Sequence, residues 1–147
     1  MNAIDLPLLL ASKVARSGQQ LFQLDRIRMQ KAVFLFTQSG SADWRDFYAY
    51  TPYNWGPYSG ALTRNVDLLM SAGRIQTEHV TGSQYPSYET TEVGEVHAQQ
   101  VWGELSEPER TFVLAVRSYV TSKSFQKLLR EVYAAFPQYA TKSQFQG

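Results

Sequence analysis

The stretch "TPYNWGPYSGALTRNVDLLMSAG", residues 51–73, decides the fold. It opens on a cluster of aromatic residues, prolines and a glycine and runs straight into apolar residues at helical spacing. Leu62, Val66, Leu69 and Met70 recur on one face, which predicts a helix from about residue 59 to 72. Ser59 is a good cap for its first turn, and Gly73 supplies the left-handed residue that stops it. Ahead of the helix, Gly56 permits backbone geometry that other residues resist, and Pro57 stiffens the approach. Gly56, Pro57 and Ser59 therefore read as a structural turn.

Upstream, "DFYAYTPY" (46–53) is β-prone and predicts a short strand. "TQSGSAD" (37–43) breaks the pattern before it. A helix begins near Asp25, with Ile27, Val33, Phe34 and Leu35 as core candidates and Met29 and Phe36 extending the apolar surface. Arg26, Arg28, Gln30 and Lys31 read as its polar face. The first helix starts with Asp5 as cap and Pro7 in its first turn. Leu6, Leu9, Leu10 and Val14 form its stripe, and Gly18 ends it.

Downstream, "RIQTEHV" (74–80) and "YPSYETT" (85–91) flank "TGSQ", which predicts a β-hairpin. A fourth helix follows over roughly 91–103, capped by Thr91. "SEPE" (106–109) is a capping box that opens a fifth, carrying Phe112, Val113, Val116 and Val120. A sixth spans 122–136 with Phe125, Leu128, Leu129 and Val132, and Pro137 stops it. The last few residues are expected to fray. A helix pair, a third helix and a two-stranded wing make a winged-helix arrangement. The expected fold is mainly α (α+β): a winged-helix-like core with a small hairpin wing and a C-terminal helical extension, all one domain over 1–147.

Bulk properties agree with a globular domain. The chain has 147 residues, 44% of them hydrophobic, enough for a real core. Net charge is +1, which makes no strong electrostatic case for nucleic acid or anionic lipid. Cysteine is absent, which excludes disulfides, thiol catalysis and thiolate metal sites and suits a reducing cytosol. The apolar run 6–11 is interrupted by Pro7 and lacks a leading basic region, so it does not read as a signal peptide. No stretch approaches the roughly 20 apolar residues of a spanning helix. We expect a cytoplasmic protein with no membrane contact. Charge is unevenly placed: residues 89–109 hold six acids and no Lys or Arg, and residues 110–142 hold six bases and one acid, Glu131. The plain expectation is that the two segments pair with each other. The sharper one is that one of them faces an oppositely charged partner.

"RMQKAVFLF" (28–36), "PYNWGPYSGALTRNVDLLMSAGRI" (52–75) and "YETTEVGE" (88–95) together resemble the Panacea-type antitoxin domain and its SocA-like and YwgA-like bacterial and phage-associated relatives. The ending "LLREVYAAFPQYATKSQF" (128–145) is similar to the close of the YwgA-like branch. The resemblance covers roughly 25–145. It implies a toxin-antitoxin or phage-defence role, with direct binding to a protein toxin and, in some members, an adaptor function that delivers the toxin to a protease. It implies no catalytic residues.

The residues themselves support a binding rather than a chemical role. His79 and His97 read as exposed or incidental, and no metalloprotease box, phosphate loop, dinucleotide fingerprint or nucleophile elbow occurs. We expect no enzyme activity, cofactor or metal. Five large aromatics, Tyr48, Tyr50, Tyr53, Trp55 and Tyr58, fall within eleven residues. A strand and a turn cannot bury every ring, and exposed Tyr and Trp on a stiff loop are typical interface anchors. Tyr53, Asn54, Trp55, Tyr58 and Arg64 are the expected partner-binding residues. The alternative is a winged-helix DNA-binding regulator, for which Arg26, Arg28 and Lys31 are the expected nucleic-acid contacts. DNA binding is expected to be weak, because the exposed face of 59–72 sets Arg64 against Asp67. A homo-oligomer is compatible with either reading.

Overall fold

In the computed structural model, which describes residues 1–18 and 20–143, the apolar run near the N-terminus is enclosed on every side. It forms helix α1, Asp5–Ala11, each residue of which is buried. The helix is shorter than its apolar stripe suggests. The Ser12 hydroxyl donates to the Leu9 carbonyl at 2.6 Å, and Ser12 itself turns extended. A Ser hydroxyl competes with the helix ladder in this way. A 3-10 turn, Lys13–Ala15, follows, and Val14 is only half-buried. Asp5 lies inside the helix rather than capping it, and its carboxylate accepts the Asn2 N–H at 2.9 Å.

Helix α2, Arg26–Ser39, begins where expected: the Asp25 carboxylate accepts the Arg28 N–H at 2.8 Å. Apolar residues lie all round it, and such a helix belongs inside a core. Phe34 sits within 5.0 Å, centroid to centroid, of Tyr50, Phe136 and Tyr139, each edge-on. Phe36 stacks on Trp44 at 4.3 Å, and Trp44 belongs to the 3-10 turn Ala42–Trp44. Leu35, a core candidate, is half-buried.

The expected strand 46–53 is mostly irregular. Tyr48 and Tyr50 turn inward instead of alternating. The Tyr48 hydroxyl donates to the Ala3 carbonyl and accepts from Asn65, while the buried Tyr50 hydroxyl has no hydrogen-bond partner of standard geometry. Only Thr51–Tyr53 forms strand β1, and it pairs antiparallel with Gly56–Tyr58, β2, a strand not foreseen in the turn. Helix α3, Gly60–Ser71, follows with Ser59 as cap, and Leu62, Val66 and Leu69 are buried. Gly73, at φ +72°, ends it.

The hairpin expected after α3 is present as β3, Ile75–Glu78, and β4, Ser87–Thr90, antiparallel, with Ile75 opposite Thr90. Helices α4, Glu92–Glu104, α5, Glu107–Thr121, and α6, Phe125–Ala135, complete the chain. Thr91, Ser106 and Ser124 cap them, Ser106 in a full capping box with Glu109. One hydrophobic cluster takes residues from all six helices. The fold is mainly helical, α+β, with two small hairpins. Residues 144–147, where fraying is expected, lie outside the described residues.

Two charge expectations fail. Among the described residues, no ion pair joins the acidic segment 89–109 to the basic segment 110–142; Lys123 pairs with Glu131 inside the basic one. His97 is not incidental, since its Nε2 lies 3.5 Å from Asp5 and its Nδ1 meets the Arg74 guanidinium. It thereby ties α4 to α1 and to the residue that precedes β3. Among the described residues no helix is long and apolar enough to cross a membrane.

Candidate functional site

The β1–β2 hairpin stands on α2. Its tip is Asn54-Trp55, because Tyr53 pairs with Gly56 across the ladder. Gly56 has φ +94°, a conformation that disfavours any side chain. A Cβ there would also lie 3.1 Å from the Lys31 stem and 3.4 Å from the Tyr133 ring. The backbone conformation calls for glycine, and the close approach of Lys31 adds a tight contact that a side chain would have to displace.

Two adjacent side chains of α2 hold the hairpin and the start of α3. The Gln30 amide makes a two-way pair with the Ser59 backbone: Ser59 N–H donates to Oε1 at 2.9 Å, and Nε2 donates to the Ser59 carbonyl at 3.0 Å. Nε2 also reaches the Thr63 hydroxyl at 3.1 Å. Next to it, Lys31 Nζ donates to the Pro57 carbonyl at 3.2 Å. The Ser59 hydroxyl accepts the Leu62 N–H at 3.2 Å, so the same residue caps α3. Gln30, Ser59 and Lys31 are all buried.

Between α2, this hairpin and α3 lies an open cavity of about 340 Å³. Ile27, Met29, Leu62 and Val66 give it apolar walls. Tyr53, Trp55 and Tyr58 border it from the hairpin, Arg26 and Asp67 stand at exposed positions, and Tyr88 reaches it from β4. Tyr53 is 50% exposed, and its ring lies 4.9 Å from that of Tyr58. The Tyr58 hydroxyl is fixed against Thr63 at 3.0 Å. Trp55 is half-buried against Phe125 of α6, edge-on at 5.4 Å.

Lys31 is the charged residue deepest in this cavity, 3% exposed. No carboxylate lies within ion-pair distance of it among the described residues. Burial drives its pKa down from 10.5 to about 7, opposed only by the charge of Asp25. Asp25 is itself taken by Arg28, at 2.6 Å.

The structure brings Tyr53, Trp55 and Tyr58 to one surface. Asn54 is half-buried at the hairpin tip and Arg64 is exposed on α3; neither lines the cavity. The expected basic face of α2 does not exist. Arg28 is 5% exposed: its Nε donates to the Val120 carbonyl, one Nη to Asp25 and the other to the Lys123 carbonyl. Lys31 is buried as described. Only Arg26 remains outside, and its guanidinium lies over the Tyr85 ring at 4.4 Å. Gln30, read as surface, is the residue that organises the site. The available signal was "MQKAVFLF" itself, where apolar residues surround the polar pair on every face of the helix.

Among the described residues no three His, Cys, Asp or Glu side chains converge as metal ligands would. Comparisons with protein-family models, with curated proteins and with solved structures each returned no match.

Proposed function

We propose that this chain is a non-enzymatic, antitoxin-like or adaptor-like domain that neutralises a partner protein by direct contact. The partner is a toxin or a phage-related protein, and a protease joins the complex where the domain acts as adaptor. The role is a cytoplasmic one. One observation carries the reading: Tyr53, half-exposed and tilted against the Tyr58 ring, stands beside Trp55 on a hairpin pinned to the core by Gln30 and Lys31. Aromatic rings that are exposed yet already held lose little entropy on binding. Leu68, 58% exposed on the outward side of α3, suits a protein partner as well.

The experiment is co-expression with the product of the adjacent reading frame, followed by a pull-down and thermal melts. Tyr53→Ala is expected to melt like the parent and to weaken capture by about 2 kcal/mol or more, as a true anchor does. Trp55→Ala is expected to weaken capture with a modest loss of stability, because its ring packs on Phe125. Full capture by both variants would remove this surface from consideration. Unfolding of both would make the cluster a structural corner.

A winged-helix reading is supported by the order α2, α3, then a two-stranded wing. With it comes the second function, DNA binding. The charges speak against it. Arg28 and Lys31 are buried, and the wing carries Glu78 and Glu89, the latter with its pKa raised by burial and by Glu78. Tight duplex binding at physiological salt, falling steeply as salt rises, would favour this second reading.

A further inference from the structure

We propose that the cavity between α2, the first hairpin and α3 takes the C-terminal residue of the partner polypeptide, with Lys31 as the counter-charge to its terminal carboxylate. The proposal rests on the protein-binding reading and names what that site recognises. Three observations carry it. Lys31 is a buried amine that lines the cavity, with one carbonyl acceptor and no carboxylate within ion-pair distance among the described residues. An ammonium has three donors, so two remain for an incoming anion. Ile27, Met29, Leu62 and Val66 give the cavity an apolar part, which fits a terminal carboxylate on a residue with an apolar side chain. The volume, about 340 Å³, holds one large residue rather than a folded segment. A chain end can turn its carboxylate to a buried cation without the chain having to leave again on the far side.

The surroundings supply no rival counter-ion. Asp25 acts on Lys31 from the cap of α2 but is paired with Arg28. Asp67 of α3 lines the cavity outside ion-pair reach of Lys31, together with Arg26 of α2 and Tyr53, Tyr58 and Tyr88. Tyr133 of α6 stands behind Gly56. A bound carboxylate keeps Lys31 protonated, so binding above pH about 7 takes up a proton and weakens as pH rises.

The probe is the acetylated tripeptide Ala-Ala-Phe as its free acid, titrated into the intact chain and followed by amide NMR. It is compared with the same peptide as C-terminal amide and with acetyl-Ala-Glu-Phe amide, whose carboxylate is internal. The free acid is expected to bind about tenfold or more tighter than its amide, the worth of one charge-assisted bond. Shifts should centre on Gly56, Tyr58 and Thr63, and the preference should fade as pH rises. Lys31→Met should abolish the preference, and Lys31→Gln serves if the first variant does not fold. Equal binding of acid and amide to the unmodified protein overturns the proposal without any variant. Binding of the glutamyl amide as tight as the free acid also overturns it, in favour of an acidic side chain. The pull-down separates this idea from the one beneath it. Capture lost with Tyr53→Ala but kept with Lys31→Met retains the interface and overturns the carboxylate site. Capture kept by both overturns the interface and, with it, the carboxylate site.

Discussion

Replacing Lys31 with Met removes one titrating group from the core and nearly preserves its shape. Lys31 has a pKa of about 7 in the folded chain against 10.5 ordinarily. Its charged form is the one that folding disfavours. Below pH about 7 the lysine is protonated in both states, and the full penalty applies. Between the two values the folded chain binds fewer protons than the unfolded one, so stability rises with pH. Raising the pH about two units from neutrality should add about 2 kcal/mol through this group alone. Burial also raises the pKa values of Tyr48, Tyr50 and Tyr88 from 10.0, so their effect falls above this window. The assay is urea unfolding of parent and Lys31→Met at matched pH values, with midpoint and slope both fitted. The variant loses the bond to the Pro57 carbonyl, a roughly constant offset of about 1–3 kcal/mol. The pH-dependent part of the difference is therefore the quantity of interest. A parent-minus-variant difference that stays flat from neutrality to pH about 9 would refute the reasoning. It would mean that Lys31 is solvated and that the cavity is no place for a buried counter-charge.

Gln30→Ala should cost about 2–5 kcal/mol, because the buried N–H and C=O of Ser59 lose their partners together, and a urea midpoint that hardly moves would show that water replaces the amide. Gly56→Val should weaken folding and partner capture together, since φ +94° and the 3.1 Å approach to Lys31 both exclude a side chain. A Gly56→Val chain with the parent's melting temperature would count against the hairpin geometry.

Local chemistry was legible in the sequence, and distant pairing was not. Ser59, Thr91 and Ser106 each cap the helix they were expected to cap, because a cap is settled within three residues, whereas Asp5 lies inside α1. The β3–β4 hairpin followed from two β-prone runs and a short polar loop. The polar face of α2 was misread because its partners lie far along the chain: Lys31 reaches 26 residues to Pro57, and Arg28 reaches 95 to Lys123. A charge rule that looks only at the helix itself places such residues in solvent. Strand β2 was missed for a different reason. Glycine and proline in "GPY" mark a turn by composition, yet the three residues pair fully with Thr51–Tyr53. Of the candidate site, the aromatic cluster was visible and the residues that hold it were not.

Helix α1 has a consequence for how the chain is made. A ribosome releases Asp5–Ala11 early, while the Arg117 side chain that donates to the Leu10 carbonyl at 2.8 Å comes 107 residues later. Helices α2, α3 and α4, which also pack on α1, all follow it. Until those helices emerge, "LPLLLA" is an apolar segment without its full cover. A nascent chain halted before α4 displays that segment to chaperones and quality-control proteases, and a chain completed through α4 has the helices that pack on it. Translation itself thus sets the interval during which this protein is vulnerable.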